Sequence, residues 1–310
     1  MIRAFQSTDV FRYAMFGCSS LTEFAYTLEK LFKDSKFRLS LMDILGLYLA
    51  SKRKDRCVTV DVHQGQVVGV ATARSRLTSN VWEICQLLLS KNNISSYTDM
   101  LKIMSNGVAK KGGEKLFIRV PNDENLVYLL RSAGFILCNY EDVYVGVLGN
   151  VSNVESSEYR VKHRVDEFQL FRLYNACTPA EIRFIFGVTF DQWKASRESA
   201  LEGSQEFVCE QNGEMRGWVR VSRCFGSAQL IAMLHQDVDV FGDSLVDYGL
   251  SKLTGKLKVY CLVPKHQLRL RRILENRGYH SKGEYVTLVK NLVAFAKTEE
   301  ISRAVEIKSN

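Results

Sequence analysis

The sequence contains one pattern twice, and no other feature limits its fold as tightly. Cys57–Gly69 reads CVTVDVHQGQVVG and Phe207–Gly217 reads FVCEQNGEMRG. Each is a β-rich stretch closed by a G-x-x-x-G turn, at Gly65 and Gly69 in the first and at Gly213 and Gly217 in the second. A second matched pair follows: KLFIRVPNDENLVYLLRSAGF (Lys115–Phe135) and KLKVYCLVPKHQLRLRRILENRGY (Lys256–Tyr279). Both consist of a short apolar strand, a polar break with one proline, an amphipathic helix and a glycine–aromatic exit. Independent blocks recurring in the same order, offset by about 145 residues, imply two copies of one folding unit.

The length of 310 residues accommodates two ordinary domains, each able to bury its own core. The expected division is a first domain over 1–148, a Ser/Asn-rich linker over 149–157 (GNVSNVESS), a second domain over 158–292 and a tail over 293–310. Within each copy the periodicities give the order β-α-α-β-β-β-α-β-α-β. Helix starts are marked by Ser96 with Asp99, and by Thr178-Pro179-Ala180-Glu181. This order predicts an α/β (mixed α+β) class, with a mixed central sheet and helices on both faces in each copy.

Composition removes several function classes. The longest apolar run, Leu39–Ala50, is interrupted by Asp43 and falls short of the roughly 18 residues of a membrane span. The opening MIRAFQSTDVFRYAMF lacks the pattern of a secretory signal, so a cytoplasmic protein with no membrane partner is expected. The 8 cysteines include no C-x-x-C pair and the 5 histidines are scattered. Reduced core thiols and no metal site are therefore expected. The net charge of +8 includes the clusters Lys52, Arg53, Lys54, Arg56 and Arg269, Arg271, Arg272. Such clusters attract anions, but without interleaved aromatics they do not make a base-stacking platform, and nucleic acid is disfavoured as a partner.

The opening IRAFQSTD, the G-x-x-x-G hairpins, the order of elements and the exits AGF (Ala133–Phe135) and RGY (Arg277–Tyr279) resemble the Gcn5-related N-acetyltransferase (GNAT) superfamily, once per repeat. The nearest likeness is to bacterial proteins with two such domains in tandem. The resemblance implies transfer of an acetyl group from acetyl-CoA to a small-molecule or peptide amine, with no metal. It places the cofactor pyrophosphate at the start of the helix after the fourth strand, where backbone N–H groups hold anions. In the first repeat that loop offers Lys91, Asn92, Asn93, Ser95 and Ser96, with a backbone N–H near Leu88 or Leu89 polarising the thioester carbonyl. In the second, Gly242 is accompanied by Asp237, Asp239 and Asp243, which oppose a diphosphate. Glu83 occupies a position resembling the family's general base, whereas the second repeat has Ala228 and Gln229 there. The tyrosine that protonates the leaving thiolate is replaced by Leu130 and Leu274; Tyr128 lies on another face of its helix and is expected to pack. These differences place any chemistry in the first repeat. Two other readings fit the same residues: a non-catalytic binding or regulatory module, and a tandem enzyme resembling mycothiol synthase.

Overall fold

The structure is a computed structural model that describes all residues except 17–20, 33–40, 91–94, 150–158, 225, 237–239, 256 and 293–310. The first repeat runs β1 (Ile2–Ala4), α1 (Ser7–Phe16), β2 (Leu21–Glu23), α2 (Leu28–Leu31), α3 (Leu41–Ser51), β3 (Arg56–His63), β4 (Gln66–Ser75), β5 (Val81–Ser90), α4 (Ser95–Ala109), β6 (Lys115–Pro121), α5 (Glu124–Ser132) and β7 (Ile136–Val147). The second runs β8 (Tyr159–Val161), α6 (Glu167–Cys177), α7 (Ala180–Phe186), α8 (Phe190–Ser196), β9 (Gln205–Gln211), β10 (Glu214–Cys224), β11 (Ser227–Leu234), α9 (Val240–Ser251), β12 (Lys258–Pro264), α10 (Leu268–Asn276) and β13 (His280–Asn291). The α/β class is as expected; each copy follows the expected order with one additional helix before its hairpin, and the first copy also inserts β2. Among the described residues no helix is long and apolar enough to cross a membrane.

The repeated glycines have two separate jobs. Gln64 and Gly65 (φ 50° and 83°), like Asn212 and Gly213 (φ 53° and 75°), take the paired positive φ of a tight hairpin turn. The second glycine of each pair admits a helix. A β-carbon on Gly217 would stand 2.6 Å from Leu245 Cδ2 of α9, and one on Gly69 would stand 3.4 Å from Met100 Cε of α4. The hairpins β3–β4 and β9–β10 therefore carry α4 and α9 at corresponding places.

The two copies share one 13-stranded sheet, in the order β1-β3-β4-β5-β6-β13-β7-β12-β11-β10-β9-β8, with β2 paired to β5 off this path. The closing strands are exchanged. β13, from the end of the second copy, pairs antiparallel with β6 of the first, while β7 of the first pairs antiparallel with β12 of the second. β7 and β13 also pair with each other. Val286, Leu288 and Leu292 accordingly lie in the core of the first copy beside Phe135, and Tyr144 lies in that of the second beside Tyr279. This reciprocal pairing leaves no open sheet edge between the copies.

Gly146 shows what the exchange demands locally. A β-carbon there would meet Tyr279 Cγ, Cδ1 and Cδ2 at 2.6–2.8 Å. Gly146→Ala forces the buried Tyr279 ring out of place, and the expected cost is about 1–3 kcal/mol, read as a lower denaturant midpoint at unchanged slope.

Four of the cysteines, Cys138, Cys177, Cys209 and Cys261, are buried. Burial pushes the thiols of Cys138 and Cys177 up to about 12, so they are inert hydrophobic groups at neutral pH.

Candidate active site

In both copies the strands corresponding to the family's fourth and fifth pair briefly and then part. β5 and β6 are in parallel register only over Val81–Glu83 with Lys115–Phe117. β11 and β12 are in register over Ser227–Leu230 with Lys258–Cys261. Beyond these points each pair has a cleft, and what fills it differs between the copies.

In the first copy the chain fills its own cleft. β2 pairs antiparallel with β5, Leu21 opposite Ser90, Thr22 opposite Leu89 and Glu23 opposite Leu88. The segment continues across the gap: Phe24 N–H donates to Leu87 O at 2.9 Å and Tyr26 N–H donates to Arg119 O of β6 at 2.9 Å. The Glu23 carboxylate accepts from Leu87 N–H at 2.8 Å, from Ala25 N–H at 3.0 Å and from Lys30 Nζ at 2.5 Å. The stretch around Leu88 and Leu89, where a backbone N–H was expected to polarise a thioester carbonyl, is instead paired with this internal strand.

Among the described residues the second copy has no such strand. Leu89 and Leu234 are equivalent, since each lies opposite the second glycine of its hairpin. Leu87 therefore corresponds to Ala232. Leu234 N–H turns into the cleft and reaches Gln267 Oε1 at 3.4 Å, and strand alternation turns Ala232 N–H the same way. Two cavities open there. One, of about 230 Å³, lies between the copies and is walled by residues that include Leu28, Tyr174, Trp218, Arg220, Ile231 and Leu262. The other, of about 480 Å³, lies among the end of β11, the first turn of α9 and the start of α10, and includes Leu234, Asp243, Arg269 and Arg272. His266 and Gln267 line both. Burial lowers the His266 pKa, against a smaller opposing pull from Glu141, so the ring is neutral at neutral pH; its Nδ1 is buried with no partner.

The remaining expected residues fall as follows. Glu83 is buried and accepts from Arg74 Nε at 2.6 Å and Arg76 Nε at 3.2 Å. Arg76 also donates to Ser196 O of the second copy and lies 4.4 Å from the Phe117 ring centre, which ties Glu83 into the seam between copies. Gln229 is wholly buried and both of its side-chain polar atoms lack partners. Ser95 and Ser96 open α4, whereas Lys91, Asn92 and Asn93 lie outside the described residues. Asp243 is 3.6 Å from Arg269, while Asp237 and Asp239 lie outside the described residues. Leu130 and Leu274 are 0% exposed, so the tyrosine positions have become core. Tyr128 does not pack as expected: it is 76% exposed, because its face of α5 points away from the sheet. Among the described residues no group of three or more His, Cys, Asp or Glu could hold a metal ion. The sequence offered no signal for β2 as a plug, because the segment is too short for a periodicity, or for His266 as the junction of two cavities, one of which forms only where the copies are joined.

No family model and no curated protein matches the sequence. Solved structures do match its fold. A GCN5-related N-acetyltransferase from Sphaerobacter thermophilus superposes with a TM-score of 0.55 at 13% identity, over 94% of this chain and 95% of that one. A tandem GNAT protein from the clavulanic acid biosynthesis pathway gives 0.51 at 12% identity, over 94% and 98%. A functionally unknown conserved protein from Staphylococcus epidermidis gives 0.50 at 11%, over 77% and 92%. With the paired-then-parted strands present in both copies, the chain has the tandem GNAT fold.

Proposed function

We propose that the chain is an acyl-CoA-dependent N-acyltransferase that works through its second repeat, with acetyl-CoA as co-substrate and a small-molecule or peptide amine as acceptor. The observation that carries this reading is the open edge of β11, where two cavities meet at His266, set against the filled cleft of the first copy. The larger cavity takes the cofactor, with Arg272 near its phosphates and Arg269 offsetting Asp243, the acid on this wall that opposes them, and the smaller one takes the amine. The Ala232 N–H polarises the thioester carbonyl. His266, neutral and at the junction, accepts the amine proton as the N–C bond forms. The C–S bond then breaks, and water protonates the departing thiolate, since Leu274 cannot. Glu83, held by two guanidinium groups, is a structural anchor in this scheme.

Acetyl-CoA tests the assignment. At 100 times its dissociation constant it should stabilise the protein by about 2.7 kcal/mol, read as a rise in melting temperature. Arg272→Glu is expected to weaken binding about tenfold or more, equivalent to about 1.4 kcal/mol, while Ser96→Asp leaves it unchanged. Loss on Ser96→Asp would return the cofactor to the first repeat. No shift at millimolar acetyl-CoA would leave a non-catalytic binding module, the reading that the two core leucines at the tyrosine positions favour.

Once an acceptor is in hand, His266→Ala should lower kcat about 100-fold or more without loss of acetyl-CoA binding. The base must be deprotonated to act. Its lowered pKa therefore places the limb that belongs to the base below the ordinary histidine value of 6.5, and with an acceptor amine that is itself unprotonated at that pH a limb above it would exclude His266.

A further inference from the structure

The smaller cavity has three buried polar atoms around it with no partner: Tyr174 Oη, Arg220 Nε and His266 Nδ1. Buried polar atoms are paired in the great majority of cases, so three without partners on one cavity mark hydrogen-bonding capacity that a polar ligand can satisfy. Arg220 is the most demanding of them. It is only 5% exposed. Its nearest carboxylate oxygen, Glu206 Oε1, is 3.9 Å away, and Glu206 also pairs with Lys162 Nζ at 3.4 Å and accepts from Trp218 Nε1 at 3.2 Å. Glu206 is not on the cavity wall, and the two carboxylates that are, Glu141 and Glu198, are engaged elsewhere. Glu198 is bonded to Arg119, and Glu141 accepts from Arg119 and Thr287. Arg197, on the same wall, is paired with Glu167, so that with Arg119 the cavity has three guanidinium groups against the two carboxylates Glu141 and Glu198. A buried cation with so little compensation is costly unless something neutralises it. Asn139, Thr178 and Gln267 add neutral polar groups, and most of the remaining wall, including Leu28, Ile182, Phe186, Ile231 and Leu262, is apolar.

We infer that the acceptor is a small amine that also carries an anionic group, a carboxylate or a phosphate, held by Arg220 and the Tyr174 hydroxyl with the amine directed to His266. This rests on the proposal that the second repeat is the working one, and it adds the class of substrate. Arg220 acts as a specificity residue. The apolar walls accept the carbon skeleton between the two polar ends.

The test uses the full chain and thermal shift at about 5 mM ligand, a concentration that stabilises measurably when it exceeds the dissociation constant several-fold. The probes are glycine, 4-aminobutyrate, glutamate, phenylalanine, phosphoethanolamine and O-phosphoserine, each compared with the amine lacking its anionic group. At least one anionic amine is expected to raise the melting temperature, and its neutral-ended twin to leave it unchanged. Whether the responders are the carboxylates or the phosphates decides between the two anions. Arg220→Met should abolish the response, Arg220→Lys should weaken it about tenfold, and both should keep the acetyl-CoA shift. Arg220→Met should also melt higher than the wild type without ligand, since it removes an under-compensated buried charge. The inference is overturned if no anionic amine shifts the protein, if the twins shift it equally, or if Arg220→Met still responds. An anionic-amine response without an acetyl-CoA response would instead sink the acyltransferase reading and leave this site standing.

Discussion

Arg119→Met is expected to lower the unfolding free energy by about 3–5 kcal/mol, because it leaves buried carboxylates without their counter-charge. Arg119 lies on β6 and is 7% exposed. Its Nε donates to Glu141 Oε2 at 2.7 Å, and its terminal nitrogens donate to Glu198 at 2.5 and 3.1 Å. Glu141 belongs to the exchanged strand β7 and also accepts from Thr287 Oγ1 of β13 at 2.6 Å, and Glu198 follows α8 of the second repeat. One guanidinium therefore joins β6 to both exchanged strands and to the other copy. Methionine matches much of its volume, so the loss is electrostatic and not a cavity.

The same network sets an acid limit. Burial opposes ionisation of Glu198, but Arg119, then Arg76, outweigh it and hold the carboxyl at about 2. A carboxyl depressed on folding contributes stability that is complete above its unfolded value, about 4.3. That contribution is lost as pH falls through the folded value, so Glu198 weakens the fold between about pH 5 and 2. Without Arg119 the Glu198 carboxyl rises, and the acid-unfolding midpoint of Arg119→Met should move to higher pH. Chemical denaturation at pH 7 and an acid titration of both proteins check the two effects. A variant as stable as the wild type at pH 7 would mean that the seam is held by the sheet alone.

The duplicated turns and helix exits were legible because local chemistry dictates them. Gln64-Gly65 and Asn212-Gly213 need positive φ, and Gly69 and Gly217 are bare because a helix lies on them. The exchange of β7 and β13 was not legible. Both strands follow the same helix in the same pattern, and nothing local says whether a strand will pair within its own copy or with the other. Glu83 could be picked out as a carboxylate in an apolar strand, but the guanidinium partners depend on the β4–β5 register that sets Arg74 opposite it. Leu21–Tyr26 is too short for a periodicity, so its insertion into the cleft has no sequence signature. The site between copies, with Arg220, Tyr174 and His266, exists only once the sheet is continuous.

The internal plug makes the second large prediction. Glu23→Ala removes the acceptor from two backbone N–H groups and the counter-charge from Lys30, whose side chain is about one-quarter exposed. A buried unpaired N–H costs about 1–3 kcal/mol, and partial hydration of Lys30 limits the rest, so the expected loss is about 2–4 kcal/mol. Glu23→Gln retains an acceptor oxygen and should cost about half as much. The loss should also be local. Leu87 N–H corresponds to the Ala232 N–H assigned to the thioester, so Glu23 sets a carboxylate oxygen where a thioester oxygen would sit. With Glu23 gone, β2 keeps its ladder to β5 at Leu88–Ser90 and the Phe24 N–H bond to Leu87 O, but the Leu87 N–H loses its acceptor. Hydrogen exchange should then quicken at Leu87 and Ala25 in Glu23→Ala, while the amides of β12 and β13 keep their protection. Uniformly faster exchange would mean that the segment is part of the global core and not a separable plug. Acetyl-CoA affinity should not change, because the cleft freed by this variant is the first one and the cofactor is assigned to the second. A gain in affinity or in the number of bound cofactors would show that the first cleft is closed only by Glu23, and that its scaffold is still competent to bind.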